Sequence, residues 1–261
     1  LLRALQHKLL YYPARDMLAG PADFGFEYET VQVRTDDGVT LHGWWLPAPQ
    51  ARVTVLFFHG NAGNVSYWLE ATLGYRELGW NVLLVDYRGY GLSEGSPSEE
   101  GTYRDARAAW NHLTAQRRIE ASSIVVIGRS LGGAVAMGLM ETARPGALVL
   151  EATFTSVPDM VAQLLPIPGA RSLSSVQYPS LQRLRRCHTP VLVAHSPDDE
   201  VVPYSHGRAL FEAANPPKRF VELRAGHNEA FYVCRDAYLT ALQSFVGEHL
   251  TARSPTIRKI T

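Results

Sequence analysis

Residues 124–136 read Ile-Val-Val-Ile-Gly-Arg-Ser-Leu-Gly-Gly-Ala-Val-Ala. Four β-branched apolar residues in succession read as a strand buried on both faces, and the small apolar residues from Ala134 onward open a helix. Between the two, Gly128 and Gly132 flank Ser130 at a distance of two residues on either side. Such spacing is what a serine needs when it is forced onto a tight strand-to-helix turn, because neither flanking position has room for a Cβ. The result is a nucleophile elbow that exposes a hydroxyl at a helix N-terminus. A bare G-x-S-x-G arises readily by chance, and its plainer meaning is a glycine-rich turn whose serine caps a helix. The strand before it and the helix after it favour the elbow.

Working outward, short β-branched runs alternate with longer helical-period segments, the pattern of an α/β fold with a mostly parallel sheet flanked by helices. The expected strands are Val31–Val33, Leu41–Trp45, Val53–Phe58, Val82–Asp86, Ile124–Ile127, Leu148–Glu151, Val191–His195 and Phe220–Leu223. Asp36, Asp37 and Gly38 supply a hairpin turn between the first two, so the sheet starts antiparallel before it turns parallel. The expected helices are Val65–Leu78, Thr102–Thr114, Leu131–Thr142, Ser205–Ala213 and Glu229–Leu250. From Ala152 to Arg186 the alternation breaks down around Pro158, Pro166, Pro168 and Pro179, over a length unusual for a simple connection. Residues 152–186 read as a small helical lid inserted in one domain spanning 1–261, against the plainer reading of an irregular surface excursion.

A serine hydroxyl is a poor nucleophile at neutral pH, so Ser130 needs a histidine base and a carboxylate to orient that base. The strand Val191–His195 runs into Ser196-Pro197-Asp198-Asp199-Glu200, and the last strand runs into Arg224-Ala225-Gly226-His227-Asn228. Serine, then acid, then histidine is the chain order expected for an elbow of this type. Position favours His227 among nine histidines, and Asp199 is taken from the three adjacent acids. Asp198 and Glu200 then read as loop carboxylates, one capping the helix near Ser205 or pairing with an arginine. An oxyanion needs two N–H donors, which Leu131 after the nucleophile and Asn61 in the loop 59–64 are placed to give. His59 reads as a brace for that loop. Asp86-Tyr87-Arg88-Gly89-Tyr90-Gly91 reads as a turn held by an Asp–Arg pair.

Lysine plus arginine and aspartate plus glutamate both number 25, so no net field argues for a nucleic-acid partner. The expected partner is a small molecule. Cys187 and Cys234 are far apart and in no metal-like spacing, which argues against a disulfide framework and a cysteine metal site. Leu1, Leu2, Leu5, Leu9 and Leu10 share roughly one helical face. Residues 1–13 fit two readings equally, the remnant of an N-terminal anchor or export signal that would bring membrane association, and a terminal helix packed on the domain.

Five motifs together, F-F-H-G-N-A-G-N at 57–64, D-Y-R-G-Y-G-L-S-E-G at 86–95, G-R-S-L-G-G at 128–133, S-P-D-D-E-V-V-P at 196–203 and G-H-N at 226–228, resemble the Bem46-like α/β-hydrolases. That group is similar to depalmitoylating members of the superfamily and to prolyl oligopeptidase-type peptidases. The resemblance implies an α/β-hydrolase fold with an eight-stranded sheet and a modest lid. It implies Ser130, Asp199 and His227 as catalytic residues, with Asn61 and Leu131 at the oxyanion hole. It also implies a hydrophobic N-terminus, often an anchor. The sequence departs at Ser196, where a glycine often follows the histidine. An epoxide hydrolase or haloalkane dehalogenase would carry an aspartate at 130. The expected activity is therefore a serine esterase for short to medium acyl chains, needing no metal and no cofactor. Thioesterase, amidase and peptidase chemistry would use the same parts, and a non-catalytic binding protein of the same fold would carry a broken triad. Phe154, Met160 and Leu164, with Leu165 and Ile167, read either as an apolar acyl pocket or as packing for the lid.

Overall fold

The computed structural model describes residues 10–250. Eight strands form the main sheet: β1 Glu29–Arg34, β2 Thr40–Leu46, β3 Thr54–Phe58, β4 Asn81–Val85, β5 Ile124–Arg129, β6 Ala147–Glu151, β7 Val191–His195 and β8 Lys218–Glu222. Their spatial order is β8-β7-β6-β5-β3-β4-β2-β1. β1 pairs antiparallel with β2 and β2 antiparallel with β4, while every other neighbouring pair is parallel. The hairpin joining β1 to β2 closes where expected. The Thr35 N–H donates to the Val39 carbonyl at 2.9 Å, and Gly38 takes the left-handed conformation at φ 86° that the turn requires.

The central strands are apolar without a break because both faces are covered, and alternate residues divide between two cores. Val126, Leu148, Leu150, Val191 and Val193 face one core with residues of α2 (Glu99–Asn111), α3 (Leu131–Leu139), α5 (Ser180–Leu184) and α6 (Tyr204–Ala213). Val125, Ile127, Ala147, Val149, Leu192 and Ala194 face the other, with α1 (Val65–Glu77) and α8 (Arg235–Leu250). α4 (Val157–Leu164) lies in the excursion between β6 and β7, which also holds a short 3-10 turn at Ala170–Leu173 and α5. β8 sits at the sheet's edge and is only half-buried along most of its length.

The fold departs from the sequence reading in three places. The final helix is broken at Cys234 into α7 (Ala230–Val233) and α8. There the Cys234 sulfur accepts the Arg224 N–H at 3.2 Å, which ties the break to the end of β8. Next, Tyr12 and Pro13 are extended and pair with Ala62 and Gly63, so the helical face expected at the N-terminus ends before them, while residues 1–9 lie outside the described part. Finally, Arg88 is not paired with Asp86. Its guanidinium bridges Asp37 at 2.8 Å and buried Asp105 at 2.9 Å, and Asp86 turns inward toward His42, His59 and the Val65 N–H. The turn is thus tied to the β1–β2 hairpin and to α2 rather than closed on itself. Among the described residues both cysteines are free and no helix is long and apolar enough to cross a membrane.

Removing one partner of a buried ion pair strands the other charge. Arg88→Met, which leaves Asp105 uncompensated, is expected to cost about 3 kcal/mol of unfolding free energy in urea titrations; a cost near zero would show that Asp105 finds another partner.

Candidate active site

All the predicted chemistry leaves the C-terminal ends of parallel strands, the end of an open α/β sheet where loops can converge on a ligand. Ser130 follows β5 directly with φ 53° and ψ −119°, a conformation that side-chain-bearing residues rarely adopt. A Cβ at Gly128 would come within 2.3 Å of the Gly132 carbonyl oxygen, and one at Gly132 within 2.0 Å of the Phe58 carbonyl oxygen. Both flanking glycines are therefore obligatory for the turn. The Ser130 N–H is held by the Glu151 carbonyl at 2.8 Å, and its own carbonyl accepts from the Thr153 hydroxyl at 2.6 Å.

The structure brings Asp199 and His227 together, with Nδ1 of the histidine 2.8 Å from Asp199 Oδ2. The other carboxylate oxygen accepts the N–H groups of Val201 at 2.9 Å and Val202 at 2.8 Å. His195 Nε2 approaches Oδ2 at 3.4 Å. Burial works against the charge on Asp199, but hydrogen bonds from His195 and His227 outweigh it and hold the carboxyl well below the usual carboxylate range. With Nδ1–H committed to Asp199, the tautomer that satisfies this network leaves His227 Nε2 as the basic nitrogen. Among the described residues the Ser130 hydroxyl makes no hydrogen bond to His227, a contact that commonly tightens only when substrate arrives.

Among the described residues the two neighbouring acids neither cap a helix nor pair with an arginine, against the sequence reading. Glu200 accepts the backbone N–H of His227 at 2.9 Å, and Asp198 faces the Ala225 N–H at 3.4 Å. All three consecutive carboxylates thus address the histidine loop. Ser196, where the sequence departs from the family pattern, accepts the Asp198 N–H on its hydroxyl at 3.1 Å and so closes the acid turn with its side chain.

In the loop 59–64 the carbonyls are held from outside. Tyr87 donates to the His59 carbonyl at 2.8 Å, Tyr90 to that of Asn61 at 2.9 Å, and the Tyr12 N–H to the same Asn61 carbonyl at 3.0 Å. His59 is buried with Nε2 3.4 Å from Asp86, its ring against Tyr87, consistent with a brace. Asn61, Ser130 and Leu131 line one cavity of about 450 Å³. Its remaining walls are almost wholly apolar, and Phe154, Met160 and Leu164 all contribute to them. Leu165 joins them, whereas Ile167 lies outside the cavity and is 59% exposed.

Leu10, Val201 and Val202 also line the cavity and were missed. Leu10 belonged to the apolar N-terminal face, and the two valines follow the acid cluster directly, so each stood next to a recognised signal. A larger groove of about 690 Å³ runs past His42, Trp44 and Glu94 and holds none of the predicted site residues. Among the described residues no cluster of three or more His, Cys, Asp or Glu could hold a metal ion.

A family profile described as the alpha/beta hydrolase fold matches residues 53–174. The Schizosaccharomyces pombe protein bem46 is 35% identical, over 93% of this chain and 86% of its own. The Arabidopsis thaliana alpha/beta hydrolase domain-containing protein WAV2 is 38% identical over 87% of this chain and 82% of its own. Among solved structures, a Pyrococcus furiosus esterase superposes with a TM-score of 0.77 at 22% identity, covering 92% of this chain and 99% of that one. That likeness establishes the fold alone.

Asp199→Asn reverses the donor–acceptor match with His227 Nδ1 and is expected to slow turnover of any acyl substrate by about 10⁴-fold; a loss of less than tenfold would exclude the orienting role. A depressed carboxyl contributes stability above its unfolded pKa of about 3.9, and that contribution is lost as pH falls through the lower folded value. Below about pH 4 the Asn variant should therefore lose less stability than the parent in thermal melts.

Proposed function

Since the chain is a member of the Bem46-like α/β-hydrolases, we propose that it is a serine esterase acting on carboxylic esters with short to medium acyl chains. The observation that carries this reading is the strained Ser130 opening into an apolar cavity of about 450 Å³ beside Asn61 and Leu131. An acyl chain fits a wall of Met160, Leu164, Phe154 and Val202, while polar residues at the cavity are few: Asn61, Ser130 and Ser174.

In the proposed reaction His227 Nε2 takes the Ser130 proton as the hydroxyl attacks the ester carbonyl. The N–H groups of Asn61 and Leu131 then hold the developing oxyanion, and Asp199 stabilises the imidazolium. The proton returns from His227 to the alkoxide as it leaves. Water, activated by the same histidine, releases the acyl group as a carboxylic acid. The serine supplies the nucleophile, so no metal or organic cofactor enters the sequence. Residues 152–186 act as a small lid whose apolar side faces the acyl chain. Thioester or amide cleavage would use the same residues, and the leaving-group side of the cavity decides between them.

The test is hydrolysis of a p-nitrophenyl ester series of increasing acyl length. Ser130→Ala is expected to lower the rate by at least about 10³-fold, and equal rates in both proteins would sink the assignment. Activity should peak at short or medium chains; a steady rise toward long chains would overturn the chain-length reading. Met160→Trp, which fills the cavity, is expected to shift the optimum to shorter acyl groups, and an unchanged profile would place the acyl chain elsewhere.

A further inference from the structure

The sequence names His227 but not what fixes its backbone, and two charged side chains meet there. Glu200, exposed on the acid loop, accepts the N–H of His227 at 2.9 Å. Arg129, only 2% exposed at the end of β5, donates from its terminal nitrogen to the carbonyls of His227 at 3.3 Å and Asn228 at 3.2 Å. The peptide group before the histidine therefore presents its N–H to an anion, and the one after it presents its carbonyl to a cation. Both are charge-assisted bonds, stronger than neutral ones and more exacting in direction. A Cβ on Gly226 would come within 2.6 Å of a Glu229 carboxylate oxygen and 2.8 Å of a Glu200 one, so the glycine leaves both carboxylates room beside the histidine loop.

Arg129 is a buried cation without a direct ion pair among the described residues. Among the described residues its guanidinium has no carboxylate within ion-pair distance and its Nε has no hydrogen-bond partner. Glu151, its register neighbour on β6, is bonded instead by the hydroxyls of Tyr75 and Tyr238. The guanidinium packs over the rings of Phe231 at 4.0 Å and Trp68 at 5.3 Å, contacts that recover part of its lost hydration. A buried cation that meets its neighbouring carboxylate, Glu151, through space and without a hydrogen bond is less well compensated than one in a direct pair. Here its hydrogen bonds go to the loop that carries the proposed base.

We infer that Glu200 and Arg129 are positioning residues that hold His227 in register with Ser130 and Asp199 by gripping its backbone from opposite sides. This rests on the serine-hydrolase reading above. Each member of the grip is the sequence neighbour of another participant: Arg129 precedes Ser130, and Glu200 follows Asp199. A shift of either loop therefore moves the histidine together with its partner, which preserves the proton path. Small misplacements of reacting groups cost large factors in rate, which gives such coupling its value.

The experiment reads fluorophosphonate labelling of Ser130, which needs no knowledge of the natural substrate, beside kcat and KM on a p-nitrophenyl ester and melting temperature. Glu200→Ala is the central variant because the side chain is exposed and its removal should scarcely change melting. It is expected to slow labelling and kcat about tenfold with KM unchanged, while Glu200→Gln, which keeps an acceptor oxygen, recovers most of the rate. Arg129→Lys, whose ammonium lacks the planar group that lies over the Phe231 and Trp68 rings and aims the donating nitrogen at both carbonyls, should fall in the same direction. Wild-type labelling and kcat in Glu200→Ala, or a Gln variant as slow as Ala, would overturn the grip and leave the serine-hydrolase reading intact. A parent protein that does not label at Ser130 would overturn that reading and this inference with it.

Discussion

The backbone of Ser130 is held in a conformation that costs on the order of 1–3 kcal/mol, and the site depends on the molecule sustaining it. Three strands do so at once. β5 delivers the serine, β6 accepts its N–H through Glu151, and the end of β3 packs its carbonyl against Gly132 so closely that no side chain fits. The same end of β3 begins the loop of Asn61, so the proposed nucleophile and one proposed oxyanion donor are fixed against each other by a contact between backbones. Side-chain packing alone would leave more freedom than chemistry at this scale tolerates.

Around that centre the buried polar groups are organised as supports. His59 and His42 flank Asp86 beneath the Asn61 loop, and Tyr87 and Tyr90 hold the loop's carbonyls. The chain from Leu10 to Leu18 runs over the same region. Arg15 donates to the carbonyls of Gly91 and Ser93, and Asn64 donates to those of Ala14 and Asp16. The hydroxyls of Tyr11, Tyr178 and Thr102 form a further buried link between this segment, the excursion and α2. The wall of the apolar cavity is thereby joined to the loop that shapes its polar end.

Much of this was legible beforehand. Continuous apolar runs located the central strands because strands covered on both faces carry no polar positions to confuse the pattern, while the edge strands β1 and β8 showed only short apolar runs between charged residues. The elbow was legible because a steric requirement fixes two glycines at a set distance. Asp199 and His227 followed from chain order. What could not be read was the partner of each charged side chain. Arg88 reaches Asp37 and Asp105, which lie on other elements, and nothing in its own turn encodes that choice. Asp198 and Glu200 looked like solvated loop acids because the groups that donate to them are backbone N–H groups, which leave no trace in residue identity. The break at Cys234 was hidden for a related reason: a sulfur bonded to the Arg224 backbone interrupts a run whose apolar period continues across it.

The strand that leads to His227 is also an outer strand of the sheet, with no neighbour on its far side among the described residues. An open edge offers unpaired backbone groups to any other chain with extended structure. β8 begins Lys218-Arg219 and ends at Glu222, and Arg219 and Glu222 are engaged by Glu248 and Tyr204. Charges of both signs along a short edge discourage strand addition there. The protection against self-association and the delivery of the histidine thus fall to the same five residues, which ties tolerance of sequence change on this edge to solubility as well as to chemistry.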